Sequence, residues 1–270
     1  MQVKKIIFVT LGLVLSLTLT AQKRQPTEKE LKKAAEKERI RQLIKSEEEG
    51  SIIFQKQTTF GVKLNSDGYA AFVELGRFKT ARKATLYSLE IGERKHPKEE
   101  KLTRGVLGFA IGNPFIYGKI NNLYYTKLGF ANSMLIGGKG NKNGVAVSAI
   151  YGGGVSAGLL KPYYIRINDP QTGLQREIKY QNNEDVFLEG SIINGAAGFG
   201  KGFNEMKFVP GAFAKTAIRF DYGRFNEVVS AIEVGLNIEA YTSKTPQMLR
   251  NKEKQLFFNA YAAIVFGKRR

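Results

Sequence analysis

The sequence predicts an all-β fold: an eight-stranded antiparallel transmembrane β-barrel, preceded by a signal peptide and one charged periplasmic helix. Three observations predict it. From Gln57 onward apolar residues recur with a period of two in eight separate runs, the pattern of strands with one apolar face. The opposite positions of those runs carry Gly, Ala and Ser mixed with isolated charges of both signs, where a soluble sandwich would place Thr, Ser and Lys facing water. The connections between the runs alternate short and long, the asymmetry of barrels with one elaborated end.

Composition narrows the alternatives. The chain has 270 residues, 43% hydrophobic and 24% charged, with a formal charge of +18. Beyond residue 21 no apolar run is long enough to cross a bilayer as a helix. The positive charge raises nucleic acid as a partner, yet no zinc spacing, basic helix pair or RNP-like motif accompanies it. An anionic surface is the better match. There is no cysteine and a single histidine, which removes thiol and Fe–S chemistry and leaves metal binding poorly supplied.

Taken in order, residues 1–21, "MQVKKIIFVTLGLVLSLTLTA", place Lys4 and Lys5 before an apolar stretch ending in small residues, the layout of a secretory signal peptide cleaved after Ala21. An uncleaved anchor is the alternative, and the shortness of the apolar core speaks against it. Residues 22–50 read as a charged helix. Thr27 and Glu30 have the spacing of a capping box, helix formers run from Glu28 to Lys45, and Gly50 stands where a helix would stop. Leu31, Ala35, Ile40, Leu43 and Ile44 make a broken stripe, so a coiled coil is not supported, and the segment is either a solvated helix or a docking arm for a partner.

Residues 51–270 form the barrel. Strands are predicted at 57–65, 68–78, 83–93, 122–135, 144–160, 211–222, 228–241 and 255–266. Two further short strands within 102–121 or 186–210 would raise the count to ten. In the first strand Thr58, Phe60, Val62 and Leu64 alternate with Thr59, Gly61 and Lys63, and in the last Leu256, Phe258, Ala260, Ala262, Ile264 and Phe266 share one face.

An eight-stranded barrel is just wide enough inside to be filled by side chains. Lys63, Glu74, Glu90, Lys127, Lys215, Arg219, Asp221, Glu233 and Glu239 are predicted to point into it as a lumen charge network, four basic against five acidic. Buried ions persist only when paired, so near balance is what the interior requires. The apolar faces carry no charge, and their tyrosines Tyr69, Tyr87, Tyr124, Tyr151 and Tyr222 suit interfacial belts. With both chain ends in the periplasm, "KTAR", "GGKGNKNG" and "GRFNE" become periplasmic turns. "NSD", 94–121, 161–210 and "TSKTPQMLRNKEK" face outward, and basic residues from Arg94 to Arg104, within 161–179 and in the last loop form an outer rim suited to lipopolysaccharide phosphates.

The whole resembles the small outer-membrane β-barrel proteins of Gram-negative bacteria, and the ending "LFFNAYAAIVFGKRR" is similar to the last strand of such proteins from the Bacteroidota. The resemblance implies that Phe258, Tyr261 and Phe266 belong to a C-terminal signal read by the barrel assembly machinery, although four residues, Gly267 to Arg270, follow the final aromatic.

Chemistry is thinly provided. His96 lies in the charged loop "ERKHPKEEK", and Ser133 and Ser148 have no histidine nearby in sequence, so a Ser–His enzyme is weakly supported. The glycine clusters at 137–144 and 198–203 do not complete a phosphate-binding loop, and "YGGGVSAG" at 151–158 reads as relief of crowding in the wall. The expected role is that of a non-enzymatic outer-membrane barrel with a side-chain-filled lumen, structural or a subunit of an assembly, without a cofactor. Residues 28–48 and the long loops would be its contacts with protein partners. A small-solute pore and a lipid-modifying enzyme are the alternatives.

Overall fold

The computed structural model describes residues 27–48, 54–106, 109–139, 144–169, 172–181, 183, 187–223 and 227–270. The expected signal peptide lies outside them. Helix α1 spans Glu28–Glu48. The Thr27 amide donates to Glu30 Oε2 at 2.9 Å, and the Thr27 hydroxyl donates to the same oxygen at 2.6 Å, so Glu30 satisfies a helix-start N–H that would otherwise have no partner.

Among the described residues thirteen strands follow: β1 Lys56–Asn65, β2 Gly68–Thr80, β3 Lys83–Arg94, β4 Lys101–Val106, β5 Phe109–Ile116, β6 Asn121–Gly137, β7 Ala146–Pro162, β8 Tyr164–Asn168, β9 Gln175–Lys179, β10 Ile193–Ala196, β11 Lys207–Asp221, β12 Val228–Thr245 and β13 Lys254–Arg269. Eight of them close into one antiparallel barrel in the order β1-β13-β12-β11-β7-β6-β3-β2. Closure is made by β1 on β13, with Phe60 opposite Phe266 and Lys63 opposite Ala263. No barrel edge remains to pair with another chain.

Short strands do occur near both expected segments, β4 and β5 by 102–121 and β10 within 186–210, while β8 and β9 were not expected, and none of them widens the barrel. β4 and β5 make a two-stranded sheet and β10-β8-β9 a three-stranded one, both outside the barrel's hydrogen-bonded ring. The count is therefore eight, not ten. The segments expected as long loops, 94–121 and 161–210, instead fold over one end of the barrel into a crown with its own core of Phe115, Ile165, Ile167, Ile178, Phe187 and Ile193. Gly195, at φ +144, lets β10 approach β5, since a Cβ there would lie 2.3 Å from the Asn113 carbonyl oxygen. The last long connection is tied in as well: Ile120 N–H donates to Gln247 O at 2.8 Å and Leu249 N–H to Gly118 O at 2.7 Å. The opposite end carries the short connections after β2, β6 and β11 together with the start of β1 and the end of β13.

The barrel strands alternate between two environments, most regularly in β1, where every second residue from Gln57 to Asn65 is buried. Outward positions are mostly apolar and exposed, such as Val62 at 61%, Leu64 at 69% and Phe258 at 65%. Charged outward residues occur only where the strands end. Lys56, Arg77, Lys79, Lys83 and Lys268 sit toward the short-turn end; Glu93, Lys161, Lys244 and Lys254 sit toward the crown. On β13 the apolar outward run is bounded by Lys254 and Lys268. At about 3.3 Å per residue and a tilt near 45°, the stretch between them spans roughly 25–30 Å.

Candidate functional site

Inward positions hold the chemistry. All nine residues expected in the lumen are buried there, from Glu74, Glu233 and Glu239 at 0% exposure to Lys215 at 9%. They are organised in tiers. Nearest the short turns, Arg269 Nη2 meets Asp221 Oδ2 at 2.6 Å while its Nε donates to Gln57 Oε1 at 3.0 Å. The next tier centres on Arg219, whose guanidinium reaches Glu74 at 2.5 Å and Glu233 at 2.5 and 2.8 Å. Lys215 Nζ adds a 3.1 Å contact to Glu74, and the Tyr261 hydroxyl donates to Glu233 Oε1 at 2.7 Å.

Toward the crown, Lys63 meets Glu90 at 2.5 Å, Lys127 bridges Glu90 at 3.4 Å and Glu239 at 3.2 Å, and Arg94 links Glu239 to Asp67. Each carboxylate thus faces at least one cation, and the aromatic faces take the remainder of the positive charge. Lys63 Nζ stands 4.1 Å from the Tyr261 ring and Arg94 4.6 Å from the Phe257 ring.

Apolar side chains fill the lumen between these tiers and at the crown end. Phe72, Leu86, Ile150, Val229 and Val265 pack in the half nearer the short turns, and Leu123, Leu160, Val209, Tyr241 and Phe257 at the crown end. Inward glycines make room for the rings. A Cβ on Gly92 would lie 2.6 Å from the Tyr125 hydroxyl, and one on Gly235 would lie 2.8 Å from Tyr261 Cζ. At Gly152, Gly153 and Gly154 of "YGGGVSAG" the nearest crowding is with backbone, a Cβ on Gly154 standing 2.0 Å from the Leu128 carbonyl oxygen, whereas Gly158 makes room for the Tyr241 ring.

The sequence reading placed Arg94 in the outer rim, and the structure moves it inside at 1% exposure. β3 runs one residue further than expected, so Arg94 shares the inward register of Glu90. With it the nine expected residues become ten, five basic against five acidic. Arg269 and Asp67 were also missed. Beyond Phe266 the chain stays in β13 as far as Arg269, so Arg269 follows the inward positions Ala263 and Val265. The residues after the last aromatic therefore close the barrel's bottom tier.

Phe258 and Phe266 point outward at 65% and 43% exposure, whereas Tyr261 points inward at 3%. His96 lies at the crown end. Ser133 and Ser148 lie in the other half of the barrel, opposite Ala84 and Arg219 respectively, so histidine and serines cannot meet. Burial, then the nearby Lys254, lowers the His96 pKa.

No family model matches this chain, and no curated protein does. Among solved structures, the attachment invasion locus protein Ail of Yersinia pestis aligns at 8% identity and TM-score 0.37, covering 81% of this chain and all of that one. Neisserial surface protein A aligns at 8% identity and TM-score 0.35, covering 80% and 95%. The N-terminal β-barrel domain of Pseudomonas aeruginosa OprF aligns at 11% identity and TM-score 0.29, covering 79% and 99%. At these scores they add nothing to the barrel that the strand register already defines.

Proposed function

We propose that this chain is a non-enzymatic integral outer-membrane barrel of the Gram-negative type, closed to solutes, serving as a structural protein or as one subunit of an envelope assembly. The observation that carries the reading is the inverted wall: a continuous belt of exposed aliphatic and aromatic side chains surrounds a neutralised ionic interior. A belt of this extent in water would far exceed the apolar patches that soluble monomers tolerate, whereas hydrocarbon needs it. Its height of roughly 25–30 Å suits an outer membrane, and its charged borders fall where headgroups lie. The short turns and both ends of the barrel segment then face the periplasm, the crown faces outward, and α1 would be a periplasmic contact. The affinity to Bacteroidota barrels rests on the likeness of the last strand.

Expressed with its leader in a Gram-negative host, the chain is expected in the outer-membrane fraction and to migrate faster on gels before boiling than after. Recovery in the soluble periplasm, or no heat shift in detergent, overturns the reading. The two apolar plugs favour a closed lumen over a pore, so planar bilayers containing the protein should show no stable conductance steps; regular steps would establish the pore. The separation of His96 from Ser133 and Ser148 removes the serine–histidine pairs named from the sequence; Ser66 lines the same crown-end pocket as His96, and envelope lipids unaltered by His96→Ala are the result expected of a non-enzymatic role.

A further inference from the structure

The wall below the crown is not uniformly open. At the crown end β2, β3, β6 and β7 turn Tyr69, Glu93, Tyr124 and Lys161 outward, and the crown overhangs them to leave a groove of about 660 Å³. Five lysines line it: Lys95, Lys101, Lys119, Lys161 and Lys201. Its two acids are already engaged, since the Tyr69 hydroxyl donates to Glu93 and Lys119 Nζ meets Glu99 at 2.7 Å. Lys201 leans to Glu177 at 3.0 Å. Among the described residues no carboxylate lies within 4.0 Å of Lys95, Lys101 or Lys161.

Lys161 is the unusual member. It is 3% exposed, donates to the Phe199 carbonyl at 2.6 Å, and stands 4.4 and 4.3 Å from the Phe199 and Phe203 rings. An ammonium has three donors, so a buried one held by a single carbonyl and aromatic faces retains capacity for an anion. Phe199 itself remains 73% exposed beside the groove. Beneath the lysines the same strands present Ile91, Leu128 and Val155, each about 60% exposed, as an apolar descent along the wall. Cations above and hydrocarbon-ready surface below match one kind of molecule.

We propose that this groove holds the phosphorylated headgroup of an outer-leaflet lipid, with Lys95, Lys101 and Lys161 on the phosphate and the acyl chains along Ile91, Leu128 and Val155. This rests on the outer-membrane reading, and the test separates the two. The full chain, extracted in mild detergent, is titrated with diphosphorylated lipid A or with phosphatidylethanolamine, and bound lipid is counted by native mass spectrometry, with inorganic phosphate as competitor. Lipid A is expected to bind at least about tenfold more tightly, and a Lys95→Gln/Lys101→Gln double variant, which alters only exposed side chains, to lose most of that preference.

Adding Lys161→Gln should abolish the preference, while Lys79→Gln/Lys83→Gln at the other rim should keep it. Equal retention of both lipids, or an unchanged preference in the double variant, overturns the groove, as does occupancy by inorganic phosphate with no gain from acyl chains. Heat-shifted migration of the same samples reports the barrel independently. A chain that shifts but ignores lipid A defeats the groove alone; one that neither shifts nor fractionates with the outer membrane defeats the reading beneath it.

Discussion

Inside the barrel the side chains with no exposure include Glu74, Glu233 and Glu239, whereas in the crown the least exposed are Ile167, Ile165, Phe187 and Ile193. Only the crown is built like a water-soluble domain, with apolar residues inward and Arg166, Glu177, Lys179 and Glu205 pairing at its surface. The barrel reverses the arrangement along strands of the same chain. β7 passes from one regime to the other: Val155 faces outward bare, and six residues later Lys161 faces outward beneath two phenylalanine rings. The comparison teaches that the position of apolar residues follows the medium each surface meets, and that an ionic interior is what remains when the outside takes the hydrocarbon.

The strongest way to break that comparison is to unbalance the lumen. Glu74 accepts from Arg219 and Lys215, so Glu74→Gln leaves buried positive charge short of its counter-ion and is expected to cost about 3–5 kcal/mol. The measurement is the urea midpoint of the heat-shifted band in detergent. Introducing Lys215→Met into that background should recover part of the loss by removing the stranded ammonium, since Arg219 keeps Glu233. A single variant as stable as the parent would mean that water reaches the network, and the closed lumen would be wrong.

Much of the barrel was legible because period two is a local property. Alternation such as Thr58, Phe60, Val62, Leu64 marks a strand without knowledge of its neighbours, and charges in the opposite register, Glu233 and Glu239 for example, mark the inside. What the sequence could not show is where a strand stops. Arg94 and Arg269 were invisible as lumen residues because each sits at the last position or two of its strand, beside loop-like residues, and only pairing with β6 or β1 extends the ladder that far. The crown was less legible still. Its strands are four to eight residues long, and the core joins Phe115 to Ile165 and Ile193 across segments whose nearness depends on the barrel beneath them. The groove combines wall and crown residues, so no single stretch of sequence announces it.

The second prediction acts on the crown and should leave the barrel alone. Ile167 is fully buried among Phe115, Ile178 and Ile193, and Ile167→Ala is expected to cost about 2–5 kcal/mol of local stability. Amide hydrogen exchange in 164–168, 175–179 and 193–196 should accelerate while the gel shift of the barrel stays unchanged. If the barrel's urea midpoint falls in parallel, the two cores form one cooperative unit and their contrast is only one of composition.

The smallest expected effect concerns His96, which lines a crown-end pocket together with Lys254 and Met248. Burial and then Lys254 lower its pKa below the ordinary value of 6.5, so the folded protein resists protonation there. Between the folded and unfolded pKa values the unfolded chain binds more protons. Crown stability therefore rises with pH through that window and declines as the pH falls below about 6.5. Because the chain has one histidine, ¹³C-labelled histidine gives a single titrating signal, expected to have its midpoint below 6.5 and to move upward in Lys254→Gln. A midpoint at or above 6.5 would place His96 in free solvent and remove one contact between the 94–121 and 242–254 segments. The crown would then rest on its apolar core, its backbone ties and the buried Lys119–Glu99 pair.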